Sequence, residues 1–112
     1  MNEGDRVRLR HMLDAAREAL SFVEGRSRAD LDRNRMLTLS LIAEIQIVGE
    51  AANKPSPELK ESIASIPWSD VIGMRNRLIH AYADVNLDIL WGTVKRALPP
   101  LIEELEALLA QA

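Results

Sequence analysis

The stretch Pro67–Tyr82, PWSDVIGMRNRLIHAY, concentrates polar side chains that a soluble helical protein does not need for folding. An imidazole such as His80 titrates near neutral pH and can pass a proton in either direction. A guanidinium such as Arg75 stays charged and grips oxyanions through parallel N–H groups. The stretch reads as a helix: Ser69 is a good N-cap, Asp70 suits the first turn, and Val71, Met74 and Leu78 recur as a core-facing stripe. Gly73, a poor helix former, is expected to mark close packing against another element. On such a helix Asn76 and His80 are i,i+4 neighbours on one face. Arg75 lies roughly 140° from His80, whereas Tyr82 returns to within about 20° of Arg75. One ideal helix therefore does not put Arg75 beside His80. The helix end distorts, the Arg side chain wraps around, or a second copy supplies the missing group.

The pattern Arg-Asn-x-x-x-His-x-Tyr, preceded by Trp68 and Gly73-Met74 and followed by Asp84 to Trp91, closely resembles the HEPN superfamily. Within it the chain is similar to the HepT-like toxin subunits paired with MNT-type nucleotidyltransferase antitoxins. Arg-x-x-x-x-His alone arises often by chance, and the longer constellation from Trp68 to Trp91 is far more specific. The resemblance implies a metal-independent ribonuclease with Arg75, Asn76 and His80 as its catalytic residues. It also implies that Tyr82 is the acceptor of AMP from the partner enzyme. Two motif copies face each other across a dimer cleft in this family, which favours the second-copy solution to the geometry.

Composition sets the bounds. At 112 residues the chain is read as one domain, 1–112, large enough for a core without staples. It is 47% hydrophobic but only 4% aromatic, a Leu/Ile/Val/Ala balance that points to helix packed on helix. It has no cysteine, which excludes disulfides and thiolate metal sites. Two histidines, His11 and His80, are too few for a histidine-built zinc site, so no metal or cofactor is expected. Met1–Arg10 lacks the apolar run of a signal peptide, and no stretch approaches the eighteen or so apolar residues of a membrane span. A cytoplasmic protein without a membrane partner is the expectation. The net charge of −3 argues mildly against general nucleic-acid binding. Eight arginines meet seven acids in residues 1–35, however, while six basic residues meet ten acids in the rest. Arg6, Arg8, Arg10, Arg26, Arg28, Arg33 and Arg35 are read as solvated helix faces.

The first helix is expected over about Asp5–Val23, with Val7, Leu13, Ala16, Leu20 and Val23 as its stripe and Gly25 ending it. His11 is read as a surface residue. Asp30 is expected to cap a second helix over Leu31–Asn53, whose stripe is Leu37, Leu41, Ile45, Val48 and Ala52. Leu39, Ile42, Ala43 and Ile47 spread onto its other faces, an excess that suggests an oligomer interface. Glu44 and Glu50 are read as solvated or rim carboxylates. Pro55 and Pro57 break this helix, and Ser56 caps a short one running to about Ser65. Trp68 is read as a packing anchor. Ala83–Asn86 is expected to be a turn, with Asn86 capping the last helix and Pro99-Pro100 kinking or breaking it.

The fold expected is all-α, an up-and-down HEPN-like bundle of about five helices, dimeric. The function that the resemblance implies is the toxin of a type II/VII-like toxin–antitoxin pair, an endoribonuclease cutting mRNA or tRNA at a composite dimer site. Its RNA phosphodiester is attacked by the neighbouring 2′-hydroxyl, with His80 as general acid or base, Arg75 stabilising phosphate charge, and Asn76 orienting His80 or donating to the phosphate. The partner nucleotidyltransferase neutralises it, by AMP on Tyr82. The competing function is a non-catalytic helical module that binds a nucleotide or the nucleotidyltransferase.

Overall fold

Three apolar stripes at helical spacing demand burial against one another, and the computed structural model shows how they find it. The structure describes residues 1–81 and 84–111, at His80 and Ala81 for the backbone only. The helices are α1 (Glu3–Phe22), α2 (Asp30–Arg33), α3 (Arg35–Ala52), α4 (Pro57–Ser62), α5 (Trp68–Ile72), α6 (Met74–Leu78), α7 (Leu87–Gly92) and α8 (Leu98–Leu109). A π-helical turn, Thr93–Ala97, joins α7 to α8, and two short strands, β1 (Ile79–Ala81) and β2 (Asp84–Val85), pair antiparallel. The expected all-α bundle is the fold, with eight α-helices among the described residues where about five were expected.

The helix α1 packs on both α3 and α8, and α3 also carries α5 and α6. Leu9, Met12, Leu13, Ala16 and Ala19 of α1 close against the whole expected stripe of α3, Leu37 to Ala52. Val7, expected in the α1 stripe, is instead exposed. The shortest dimension, 19 Å, is about two helix diameters, so the bundle is two layers thick. No helix in two layers can be surrounded, which leaves the excess apolar side of α3 open. Met36 is 80% exposed, Leu39 49% and Ile47 44%.

Several expected elements are broken where local chemistry supplies a better partner. Asn34 interrupts the expected second helix because its side chain accepts the Leu37 N–H at 3.0 Å, capping α3 afresh. Asp30 lies inside the short α2 rather than before it, and its carboxylate takes the Ser27 N–H at 2.7 Å. Ser69 likewise lies within α5, which starts at Trp68 without a side-chain cap. Ser56 caps α4 as expected and ties it to α1, because the buried Asp5 carboxylate accepts both its N–H and its hydroxyl. Gly25, at φ +71°, takes the left-handed conformation that ends α1.

Gly73 does not mark a close approach. A Cβ there would meet only ordinary neighbours, Ser69 O at 3.4 Å and Arg77 Nη1 at 3.5 Å. It is the joint between α5 and α6. The close approach is at Gly49 of α3, where a Cβ would lie 3.1 Å from the Ile72 carbonyl oxygen. Pro99 and Pro100 do not break the last helix either. They sit in the first turn of α8, and the irregularity falls one turn earlier, where the Leu98 N–H reaches back to Thr93 O. The wide turn absorbs the missing donors.

Glu44 is buried rather than solvated, faces Glu18 of α1, and leaves its Oε2 without a hydrogen-bond partner among the described residues. Glu50 is exposed and accepts from Gln46. Burial, then the hydrogen bond and charge of Glu18, push the Glu44 carboxyl up to about 7. Between pH 4.5 and about 7 the folded protein therefore holds a proton that the unfolded chain releases. Its contribution to stability falls as pH rises through that window and is recovered below it. Glu44→Gln is expected to unfold at higher urea than wild type at pH 8, by on the order of 2 kcal/mol, with the gap closing near pH 4.5. A gap independent of pH would overturn this account.

Candidate functional site

Two elements position the motif residues, and they are not one helix. The core-facing residues are as expected: Val71, Met74 and Leu78 are buried, on α5 and α6. Arg75 and Asn76 share α6 with Met74 and Leu78 but are exposed. The helix ends at Leu78, and His80 lies in β1, between Ile79 and Ala81. The expectation of Asn76 and His80 as i,i+4 neighbours on one helical face is therefore overturned. So is the extrapolation of the helix to Tyr82. Tyr82 itself, proposed as a modification site, lies outside the described residues. The helix end departs from the ideal, as in the first of the three geometric options, and a second copy supplying the missing group is compatible with that departure.

The departure has a specific cause. In a continuing helix the Leu78 carbonyl would accept a hydrogen bond from the residue four further on. Here it accepts from the Asn86 N–H at 2.7 Å. The Asn86 side chain then accepts the Ile89 N–H at 3.0 Å and caps α7, as the sequence suggests. One residue thus closes the strand pair at its base and begins the next helix. Ile79 and Val85, paired across the strands, both pack on the core. Ala83–Asn86, expected to be a plain turn, contributes β2 at Asp84–Val85; Ala83 lies outside the described residues.

Polar ties brace this frame. Arg77 donates to the Asp70 carbonyl at 2.8 Å and bridges α5 and α6 across Gly73. Trp68 is the expected packing anchor, partly buried, its indole N–H donating to Ile63 O at 3.0 Å. Arg28, read as a solvated arginine, instead pairs with Asp88 of α7 at 2.7 Å and with Asp32 at 3.0 Å. Arg6 is likewise engaged, donating to Leu109 O at 2.9 Å. Arg75 forms no ion pair or hydrogen bond with the described side chains. His11 is exposed, as expected. No group of His, Asp or Glu side chains among the described residues has the makings of a metal site.

Arg33 and Arg35 line a cavity of about 330 Å³ beside β2, together with Asp32 and Asp84. Each was read from sequence as solvated helix surface. Arg35 stands in the first turn of α3, where no acidic residue balances it and where a cation opposes the helix dipole. A basic residue so placed is the signal that sequence offers for this flank. Two guanidiniums from the α2–α3 joint thus flank β2 beside two carboxylates, and Arg33 is also paired with Asp30 at 3.1 Å, so the cavity itself carries no net positive charge.

Residues 12–108 match the family described as "Ribonuclease HepT-like". A "Putative RNase" of Caldanaerobacter subterraneus subsp. tengcongensis is 32% identical over 101 residues, covering 90% of each chain. A "Probable ribonuclease HepT" of Thermococcus cleftensis is 32% identical, covering 86% of this chain and 91% of the other. A "Putative RNase" of Methanocaldococcus jannaschii is 29% identical over 85% and 87%. No solved structure gives a significant match. With the match spanning all of α3 to α7, including the motif helix and the strand pair, the chain belongs to the ribonuclease HepT-like family.

Proposed function

We propose that this chain is the toxin of a toxin–antitoxin pair, a metal-independent endoribonuclease that cuts mRNA or tRNA at a site shared by two copies. The observation that carries the reading is the family match together with Arg75 and Asn76 exposed on α6, the short helix that leads directly into the strand holding His80. In the reaction the 2′-hydroxyl oxygen bonds to the adjacent phosphorus and the bond to the 5′-oxygen breaks. A base takes the 2′ proton and an acid gives one to the leaving oxygen. His80 supplies this proton transfer, and Arg75 holds the charge that grows on the phosphate oxygens. Asn76 donates to the phosphate or steadies the imidazole. The exposed apolar side of α3, with Met36, Leu39, Ala43 and Ile47, supports a dimer built on α3 and the motif helix.

His80→Ala and Arg75→Ala are each expected to lower RNA cleavage by about 10²–10⁴-fold while still sedimenting as folded dimers. Cleavage by wild type should persist in chelator. Full activity in either variant, a strict need for added divalent metal, or a monomer at micromolar concentration would count against the composite site.

The partner is an MNT-type nucleotidyltransferase that transfers AMP to the Tyr82 hydroxyl, breaking the α–β phosphate bond of ATP and releasing pyrophosphate. The added phosphate places negative charge and bulk near Arg75 and His80 in the chain, competing with RNA for the same cations. Tyr82→Phe is expected to cut RNA yet escape neutralisation. Co-expression with the cognate nucleotidyltransferase and intact-mass measurement test this: no AMP mass on wild type, or equal gain on Tyr82→Phe, would remove Tyr82 as acceptor.

A further inference from the structure

A cavity of about 740 Å³ lies on the side of α6 away from Arg75, between α5–α6 and α8. Met74 and Arg77 line it, and Arg77 points roughly 160° away from Arg75 around the helix. We propose that this groove docks a helix of another protein, one whose apolar stripe is flanked by Lys or Arg.

The shape argues for a helix. The α8 side of the groove is lined by Ala97, at the end of the π turn, then Pro100, Leu101, Glu103, Glu104 and Ala107, one side of the helix about 15 Å long. Alanine at both ends lets a third helix approach closely, ridge into groove, over two to three turns. Ile66, Val71 and Met74, buried in the core, form an apolar floor on the opposite side.

The rim argues for the charge. Asp70, Glu103 and Glu104 stand around the opening against one guanidinium, that of Arg77. Arg77 already donates to the Asp70 carbonyl at 2.8 Å and lies 4.0 Å from its carboxylate. Glu104 is held at the rim by the Ser65 hydroxyl at 2.9 Å. The neighbouring Glu106 is neutralised by Arg17, whereas Glu103 and Glu104 have no ion pair among the described residues. An opening with this excess of carboxylate repels nucleic acid and favours a basic partner. The docking surface is thus separate from the RNA reading, and its test does not depend on cleavage.

A displayed library of helical peptides, selected on the wild-type chain, tests the proposal. Winners should carry Leu, Ile or Met at i, i+4 and i+7 with Lys or Arg beside them. They should bind Ala107→Trp, which fills the groove, and the double variant Glu103→Lys with Glu104→Lys at least tenfold more weakly. The double variant changes only rim side chains, so it decides the matter should Ala107→Trp fail to fold. RNA cleavage should be unchanged in both. No enrichment, winners with acidic flanks, or equal binding to the double variant would overturn the proposal. So would self-association of the free chain that the double variant abolishes, since the occupant would then be a second copy.

Discussion

The hydrogen bond from the Asn86 N–H to the Leu78 carbonyl is the constraint on which the motif region depends. It takes the acceptor that a longer α6 would have used, so the chain leaves the helix at Ile79. It also fixes the distance that residues 79–85 must span and return across. Since Leu78 is fully buried, this closure is anchored in the core rather than at the surface. The same residue starts α7 through its side chain. Arg75 therefore sits on a helix and His80 on a strand, five residues apart in sequence but held by different backbone geometry.

Around this closure the division of labour between apolar and polar contacts is clear. The buried stripes of α1, α3 and α8 supply the driving force, at roughly 25 cal/mol for each Å² of apolar surface removed from water. The exposed ion pairs, such as Arg17–Glu106 and Arg33–Asp30, are each worth at most about 1 kcal/mol. Their role is positional. Arg6 ties the start of α1 to the end of α8, Asp5 ties α1 to α4, and Arg28 ties the α1–α2 connection to α7. These bonds fix which ends of the bundle meet.

The stripes were legible in the sequence because periodicity alone reports them. Leu37, Leu41, Ile45, Val48 and Ala52 are all buried, as are Val71, Met74 and Leu78. The breaks were not legible. Ile79-His80-Ala81 contains neither Gly nor Pro, and the helix ends there through tertiary pairing with β2 and the hydrogen bond from Asn86. Gly73 and Gly49 were indistinguishable by type, yet of the two only Gly49 comes closer than ordinary contact to backbone, at 3.1 Å from the Ile72 carbonyl oxygen. Glu44 looked like rim because a carboxylate usually is, and its place beside Glu18 depends on how α1 and α3 turn toward each other. The prolines of α8 were visible, but the remedy was not. Leu90, Val94 and Leu98 are spaced by four, overshooting a normal turn by about 40° each time. The wide π turn takes up that overshoot and keeps all three fully buried. For the candidate site, residue types were readable from the motif, while their arrangement hinged on where α6 stops.

The Gly49 contact has a mechanical meaning. Side chains between two helices act as compliant spacers, because rotamers can shift to accommodate a small displacement. At Gly49 there is no spacer: the backbone of α3 rests on the carbonyls of Val71 and Ile72. A push on the open apolar side of α3 is therefore passed to α5 without slack, and across the Arg77 bridge to α6. The open face of α3 and the backbone of α6 are thus two ends of one linkage.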